Sequence, residues 1–377
     1  MHASVINPAA AVVTTPWSVR IATSALSLYA LPEARWHYTD GLLFKGIYHL
    51  WQRTNEERYW QNLVAYVDMF VTASGHIKGY TVDEYNIDQI NAGKLLFPVY
   101  QRTGEVRYRQ AIELLREQLR GHPRTREGGF WHKKIYPYQV WLDGIYMGLP
   151  FYAEYAAAFN EPTIFDDVAF QMISLEKHTR DPQTGLLYHA WDESRQMPWA
   201  NPTTGCSPHF WSRALGWYVM AINDVLDFFP PNHPAHPDLI TLLERTLAAV
   251  IQVQDEATGL WWQVLDQGHR PGNYLEASGT SMFIYAIAKG VRHGYLPASW
   301  LPVATRSFDG LLRHLVTLDD EGRLDLHGIC STAGLGGTPY RDGSYEYYIG
   351  EPIITNNLHG VGAFLNAAVE LELAISG

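Results

Sequence analysis

The chain has 377 residues, of which 47% are hydrophobic, so it can bury a large core and is not a disordered protein. Charged residues make up only 18% and aromatic residues 13%, a balance that suggests a cavity or groove lined by rings. The net charge of −11 argues against a nucleic-acid partner, which requires a basic face. An acidic small molecule stays possible, because a few local Arg, Lys and His side chains could hold one.

Cysteine usage and hydropathy exclude several further classes of protein. Two cysteines, Cys206 and Cys330, rule out a disulfide scaffold and a cysteine-rich zinc site, and we expect both to be buried as small hydrophobic residues. No uninterrupted apolar run approaches the roughly 20 residues of a membrane helix. The N-terminus lacks the basic residues of a signal peptide, and its apolar stretch 9–13 is short. We therefore expect a soluble, cytoplasmic monomer with neither a membrane nor a nucleic-acid partner.

A repeated pattern runs along the whole chain. Six apolar, aromatic-rich stretches with helical periodicity each follow a glycine, and they recur about every 50 to 80 residues. They are residues 42–51, 95–100, 145–155, 217–229, 282–287 and 361–373. A glycine within a helix costs up to about 1 kcal/mol relative to alanine, so its recurrence at matching places predicts close packing between helices.

Between these stretches lie amphipathic segments with more charge, which we interpret as outer helices. They cover residues 56–70, 106–119, 165–177, 238–252 and 302–315. Aromatic, partly alternating runs at 128–132, 185–189 and 259–263 predict short strands or extended loops at one end of the helices. Six inner and six outer helices in alternation predict an all-α protein, an (α/α)6 barrel with short strands in its loops, as a single domain over residues 1–377. An open helical solenoid is the alternative, although neither end resembles a polar capping repeat.

Such a barrel has a funnel at one end, formed by the starts of the inner helices and the loops before them. Polar and aromatic residues concentrate at these positions: Trp36, His37, Tyr38, Asp40, Asp83, Glu84, Asp88, His132, Lys133, Asp143, His189, Trp191, Asp192, His209, Trp211, Arg213 and Trp217. Aromatic faces among carboxylates, histidines and arginine suit sugars, whose C–H faces stack on rings while their hydroxyls need polar partners.

Two aspartates at equivalent places are the candidates for acid–base chemistry. Asp143 lies among apolar and aromatic residues 138–147, which favour the protonated carboxyl that a general acid requires. The alternative is an aspartate that caps the helix through backbone N–H groups, which would hold it ionised. Asp88 occupies the equivalent place in the preceding repeat and has the same alternative. Two carboxylates at the starts of neighbouring inner helices could face each other, as glycoside hydrolysis needs.

Other residues in the funnel have competing interpretations. Arg213 lies in a mostly apolar helix, where it needs either a structural Asp or Glu, which we slightly favour, or a ligand carboxylate. His132 and His189 match in the repeat, but no metal-binding motif is present, so we expect neither a metal nor a cofactor. Phosphate-binding glycine loops and a Gly-x-Ser-x-Gly motif are also absent. The glycine-rich segment 334–348 is either an ordinary surface loop or an aromatic rim.

Five segments in order resemble the unsaturated rhamnogalacturonyl hydrolases, glycoside hydrolase family 105. They are RWHY (35–38), GFWHK (129–133), WLDGIYM (141–147), YHAWD (188–192) and WSRALGW (211–217). Segments RDGSYEYY (341–348) and GVGAF (360–364) resemble the C-terminal region of that family. The resemblance covers nearly the whole chain, and the order of the segments makes it specific.

The resemblance implies an (α/α)6 barrel that acts on pectin-derived oligosaccharides with a 4,5-unsaturated galacturonyl residue at the non-reducing end. The general acid/base of the family falls on Asp143, with Asp88 as the second carboxylate. The positions that match its sugar-binding residues are Tyr38, His132, Lys133, Met147, His189, Trp211, Arg213 and Trp217. Related unsaturated glucuronyl hydrolases share the fold and the paired aspartates, so the identity of the leaving sugar stays open.

The chemistry of an unsaturated uronate differs from that of an ordinary glycoside, because the substrate is an enol ether. We expect Asp143 to protonate C4 and water to add at C5, with Asp143 or Asp88 as base, and with neither a covalent intermediate nor a metal. Three alternatives stay open: an unsaturated glucuronyl hydrolase for another lyase product, an inverting glycosidase of saturated glycosides, and a noncatalytic sugar-binding protein.

Overall fold

The structure, a computed structural model, describes residues 15–377 and the strand Ser4–Val5. The rest of the predicted domain, residues 1–3 and 6–14, lies outside the described residues, and so does the apolar stretch 9–13. The α-helices in chain order are α1 (Trp17–Leu28), α2 (Tyr38–Thr54), α3 (Glu57–Phe70), α4 (Leu96–Thr103), α5 (Val106–Gly121), α6 (Leu142–Phe159), α7 (Ile164–Thr179), α8 (Ser212–Leu226), α9 (His236–Gln252), α10 (Ala277–Arg292), α11 (Leu301–His314), α12 (Tyr345–Gly350) and α13 (Leu358–Ser376).

The helices form two concentric rings. The inner ring consists of α2, the 3-10 helix Ile87–Leu95 that continues into α4, then α6, α8, α10 and α13. Each inner element packs against the next, and α13 packs against α2, so the ring is closed. The outer helices α3, α5, α7, α9 and α11 pack against the inner helices that precede them, and α1 packs against α13. The prediction of an (α/α)6 barrel is therefore confirmed, and the open solenoid is wrong.

Glycines allow the inner elements to approach closely, as predicted. A Cβ on Gly41 of α2 would lie 2.9 Å from the Cα of Ala92 in the 3-10 helix. A Cβ on Gly216 of α8 would lie 2.8 Å from the Cβ of Met282 in α10. Real Cβ atoms do not come this close, so side chains at these positions would force the inner ring apart.

Two elements differ from the prediction. Helix α1, residues Trp17–Leu28, completes the outer ring but was not predicted, because Arg20 is its one charged residue and the charged amphipathic pattern is weak. The second inner element begins as the 3-10 helix Ile87–Leu95 instead of an α-helix. Both helix types present an apolar pattern of similar period, so the sequence does not distinguish them.

Short strands lie in the loops between helices. They are β1 (Ser4–Val5), β2 (Gln139–Trp141), β3 (Ala190–Asp192), β4 (Val316–Leu318), β5 (Leu324–Leu326), β6 (Ile329–Cys330) and β7 (Ile353–Ile354). Antiparallel pairing joins β2 to β3, with Trp141 opposite Ala190, and joins β1 to β4, β4 to β5 and β6 to β7. The predicted runs 128–132, 185–189 and 259–263 are extended segments held by single bridges at Phe130, Leu187 and Trp262.

Two smaller predictions concern the cysteines and the glycine-rich segment. Cys206 and Cys330 are buried and free, as expected. The glycine-rich segment 334–348 is mostly loop, but its end forms the first part of α12. Helix α13 is long and apolar enough to cross a membrane by length and composition, and 72% of that window is buried inside the structure.

Candidate active site

A cavity of about 260 Å³ opens where the inner elements begin. Its walls come from the starts of α2, the 3-10 helix and α6, and from loops near residues 133 and 332–341. The lining residues are Trp36, His37, Tyr38, Asn86, Asp88, Gln89, His132, Lys133, Tyr136, Trp141, Asp143, Met147, Thr332, Ala333 and Arg341. Both candidate carboxylates thus face one cavity.

Asp143 is the second residue of α6 and is held at the cavity by the strand before it. The pairing of β2 with β3, and a hydrogen bond from the Leu142 N–H to the His189 carbonyl at 3.0 Å, fix the start of this helix. Asp143 is 9% exposed, and its Oδ2 has no hydrogen-bond partner. This oxygen does not cap the helix, which was the alternative to an acid–base role.

His189 is a titratable neighbour of Asp143. Its Nε2 lies 3.0 Å from Asp143 Oδ2, but without hydrogen-bond geometry, and the ring is fully buried. Its Nδ1 lies 2.8 Å from the Tyr348 hydroxyl. When Tyr348 donates to Nδ1, the proton of the neutral ring is on Nε2 and faces Asp143.

Asp88 is the second residue of the 3-10 helix and is surrounded by nitrogen atoms. Lys133 Nζ lies 2.6 Å from its Oδ2, and His132 Nε2 lies 3.5 Å from its Oδ1. Burial alone would raise the pKa of Asp88, but the Lys133 ammonium, and secondly His132, hold that pKa below its usual range. Asp88 is therefore ionised at neutral pH and suits the role of a base.

His132 is a neutral member of the site. Burial lowers its pKa to about 4, although the carboxylate of Asp88 opposes this effect. The ring stacks on Trp141 with centroids 4.3 Å apart and planes 9° apart, and Trp141 in turn stacks on Tyr136. A Cβ on Gly144 would lie 3.0 Å from His132 Nδ1, so the glycine after Asp143 leaves space for the ring.

Tyr38 and Met147 complete the group of predicted residues that line the cavity. The Tyr38 hydroxyl lies 2.7 Å from Nε2 of His359, a residue of α13. Its ring meets Trp217 edge-on, with centroids 6.2 Å apart. Met147 follows Asp143 by one helical turn, so it lies on the same face of α6.

The predicted sugar-binding residues separate into two groups. Tyr38, His132, Lys133 and Met147 line the cavity together with Asp88 and Asp143. Four others lie behind its wall and are at most 1% exposed: His189, Trp211, Arg213 and Trp217. Direct contact of this second group with a sugar stays a prediction.

Arg213 has the structural partner that we slightly favoured. Its Nε donates to the Ser278 hydroxyl at 2.7 Å, Nη2 donates to the Cys330 carbonyl, and Glu276 lies 3.5 Å away. Burial opposes the charge, but Glu276 raises the pKa of Arg213 above its usual value. The arginine thus holds the chain just before Thr332, which lines the cavity.

Several lining residues were not predicted as site residues. Trp36 and His37 were recognised in the funnel, whereas Asn86, Gln89, Tyr136 and Trp141 were not assigned a role. Thr332, Ala333 and Arg341 come from the far end of the chain, and of these only Arg341 lies within the proposed rim at 334–348. Arg341 Nη2 donates to the Tyr136 hydroxyl at 2.8 Å, which joins that rim to the loop after Lys133. Within residues 15–377, no group of three or more His, Cys, Asp or Glu side chains is arranged to hold a metal.

Comparison with known proteins shows the family. Residues 15–374 match glycosyl hydrolase family 88. The chain belongs to this family. A solved structure of a family 105 glycoside hydrolase from C. acetobutylicum ATCC 824 is 46% identical, covers 95% of this chain and 99% of its own, and has a TM-score of 0.93. The resemblance to family 105 is therefore confirmed, and the paired carboxylates lie in the cavity of a family 88/105 glycosidase.

Two further relatives are unsaturated uronyl hydrolases by name. The unsaturated rhamnogalacturonyl hydrolase YesR of Bacillus subtilis (strain 168) is 28% identical over 252 residues, which are 65% of this chain and 68% of YesR. An unsaturated glucuronyl hydrolase from Bacillus sp. GL1 is 13% identical, with a TM-score of 0.67 over 94% of this chain and 95% of its own. The second likeness shows the fold alone.

Proposed function

We propose that the protein releases the 4,5-unsaturated galacturonyl residue from the non-reducing end of lyase-generated rhamnogalacturonan oligosaccharides. The observation that carries the proposal is the pair of carboxyl groups in one cavity. Asp143 has a buried oxygen without a hydrogen-bond partner, whereas Asp88 is held ionised by Lys133. The similarity to YesR, an unsaturated rhamnogalacturonyl hydrolase, supports the choice of substrate.

The first step uses Asp143 as a general acid. The double bond of the substrate is an enol ether whose electron-rich carbon is C4, so Asp143 gives its proton there. The positive charge that results is shared between C5 and the ring oxygen. Positioned proton transfer of this kind contributes about 10² to 10⁴-fold in rate, so the orientation of the sugar against the cavity wall supplies the remainder.

The second step adds water at C5. The ionised carboxylate of Asp143 or that of Asp88 accepts the proton from the water, which gives a C5 hemiketal. This hemiketal opens to a ketone, and the hemiacetal then exposed at C1 expels the leaving sugar. No bond between the enzyme and the sugar forms, and the glycosidic bond breaks after the hydration step.

The charges around the cavity support an acidic substrate. Lys133 and Arg341 contribute positive charge to the lining, and Lys133 is paired with Asp88. Burial, and secondly Arg35, lower the pKa of His37, and burial also keeps His132 neutral. A uronate carboxylate would therefore find its cationic partner in Arg341 or in Lys133.

The test is a comparison of lyase-generated unsaturated disaccharides with their saturated counterparts. We expect loss of the ultraviolet absorbance of the double bond, together with release of the leaving sugar, only with unsaturated substrates. Turnover of the saturated compounds would instead indicate an ordinary inverting glycosidase, and binding without turnover would indicate a sugar-binding protein. Unsaturated galacturonyl-rhamnose and unsaturated glucuronyl substrates, assayed side by side, distinguish the proposed substrate from another lyase product.

A further inference from the structure

Lys94 is a buried lysine of the inner ring whose ammonium has no hydrogen-bond partner among the described residues. It lies near the end of the 3-10 helix that carries Asp88 and is 2% exposed. Its Nζ lies 3.6 Å from the centroid of the Tyr146 ring, in cation–π contact. Lysine is almost never fully buried without an ionic partner, so this placement requires an explanation.

The position of the ammonium is unfavourable in itself. Burial lowers the pKa of Lys94 to about 7, although Asp224 opposes this effect. A methionine has nearly the same length and would fill the space without desolvating a charge. The interaction that an apolar side chain of this size would not provide is the cation–π contact with Tyr146.

The partner ring belongs to the helix that carries the other carboxylate. Tyr146 follows Asp143 by three residues on α6, whereas Lys94 follows Asp88 by six residues on the 3-10 helix. Tyr146 also stacks on Trp217, with centroids 4.8 Å apart, and Trp217 contacts Tyr38 of the cavity lining. The cation–π contact thus connects the two carboxylate-bearing elements inside the barrel.

The 3-10 helix depends on side-chain contacts of this kind, because its own hydrogen bonds have poorer geometry than those of an α-helix. Trp36 Nε1 donates to the Gln89 carbonyl at 2.9 Å, and Asn91 Nδ2 donates to the Tyr38 carbonyl at 2.9 Å. Both contacts hold the helix to α2 and the chain before it. Lys94 supplies a contact on the other side, toward α6.

Other charged groups face Lys94 from the surrounding inner elements. Asp224 of α8 and Glu154 of α6 attract its charge, and each has one buried oxygen without a partner. Lys45 of α2 and Lys289 of α10 oppose it, although Lys289 is bonded to Asp224 at 2.8 Å. The two carboxyl groups offset part of the cost of a buried cation in the barrel interior. The ring of Tyr146 fixes the position of that cation.

We propose that Lys94 is a positioning residue that sets the separation of Asp88 and Asp143 through its contact with Tyr146. The proposal rests on the proposed function, because it assigns a purpose to this separation in catalysis. It does not make Lys94 a proton donor or a ligand of the substrate.

The kinetic test is a double-mutant cycle of Lys94→Met and Tyr146→Leu on the unsaturated disaccharide. We expect each single variant to lower kcat by at least about tenfold with KM changed by less than about threefold, since small misplacements of catalytic groups are costly in rate. The double variant should be no slower than the slower single variant, because each change already removes the same contact between Lys94 and Tyr146. Lys45→Met is the matched control, because Lys45 is a half-buried lysine near Lys94 whose ammonium lies over the ring of Tyr48 instead of Tyr146. We expect this variant to keep kcat within about twofold of the wild type.

A second measurement needs no substrate. Amide hydrogen exchange in residues 88–91 should be faster in Lys94→Met than in the wild type and unchanged in Lys45→Met. If the wild type shows no turnover, the proposed function fails, whereas the exchange result still tests the contact. Wild-type kcat in Lys94→Met, additive losses in the cycle, or unchanged exchange would each overturn the proposal. If Lys94→Met does not fold, Lys94→Gln replaces it in both experiments with the same expected results.

Discussion

Replacement of Lys133 by methionine tests whether the ion pair with Asp88 sets the charge of the second carboxylate. Lys133 Nζ lies 2.6 Å from Asp88 Oδ2, and the two side chains are 22% and 13% exposed. Loss of one partner of a buried pair costs about 3 to 5 kcal/mol, and we expect the lower end because Lys133 retains some contact with solvent. An unfolding entropy of about 2.1 cal/mol/K per residue converts 3 kcal/mol into a decrease in Tm of about 4 °C for a chain of this length.

The decrease in stability should depend on pH with a defined sign. In the wild type the pKa of Asp88 is lowered, so its stabilising charge is present at neutral pH and is lost only as the pH falls through that lowered value. Burial is the largest influence on the pKa of Asp88 and raises it, whereas Lys133 is the main group that lowers it. In Lys133→Met the effect of burial therefore dominates, and the pKa of Asp88 rises. The variant then gains stability relative to the wild type as Asp88 takes up a proton, so the deficit should shrink as the pH falls from neutral through the raised pKa of Asp88.

Thermal unfolding followed by circular dichroism at several pH values measures this effect. Lys134→Met is the matched control, because Lys134 is exposed and its Nζ contacts only the Asp83 carbonyl, at 3.3 Å, among the hydrogen bonds described. We expect the control to unfold within about 1 °C of the wild type, as surface substitutions usually do. A deficit in Lys133→Met that is equal at both ends of the pH range, or no larger than that of Lys134→Met, would refute the assignment.

Three further predictions concern single positions. Asp143→Asn should lower kcat at least about 100-fold while isothermal titration still detects substrate binding; retention of more than about a tenth of kcat would contradict its role as the acid. Arg213→Met leaves Glu276 buried without its cation, so differential scanning calorimetry should show a stability loss of about 3 to 5 kcal/mol, and a wild-type Tm would exclude the structural pairing. Gly144→Ala should displace His132 and lower kcat/KM about tenfold, since a Cβ would lie 3.0 Å from Nδ1; unchanged kinetics would show that the ring moves freely.

The architecture could be predicted because each inner helix carries its own signal. A glycine followed by an apolar run indicates a helix that is buried on all sides and packed closely against its neighbours, and the closed ring has this property. Helix α1 gave no comparable signal, since Arg20 is its one charged residue and its pattern does not resemble that of the other outer helices.

The site was predictable in part for a similar reason. Asp88 and Asp143 stand at equivalent repeat positions, so the fold brings them to one cavity. The depth of a side chain below the cavity wall was not predictable, because Arg213 and Trp211 have the same repeat position as residues that reach the lining. Thr332 and Ala333 could not be placed either, since they lie in a loop with no periodicity that precedes the proposed rim at 334–348.

The most direct test of the proposed chemistry is reaction in heavy water with early-time NMR of the released sugar. Protonation of the enol ether by Asp143 predicts one deuterium at C4 of the 4-deoxy-5-keto-uronate, on one face of the former ring, before exchange through the ketone begins. Direct displacement at C1 would leave the double bond intact in the first product and place no deuterium at C4. An unlabelled C4 would contradict the hydration mechanism even if the enzyme were active on the proposed substrate.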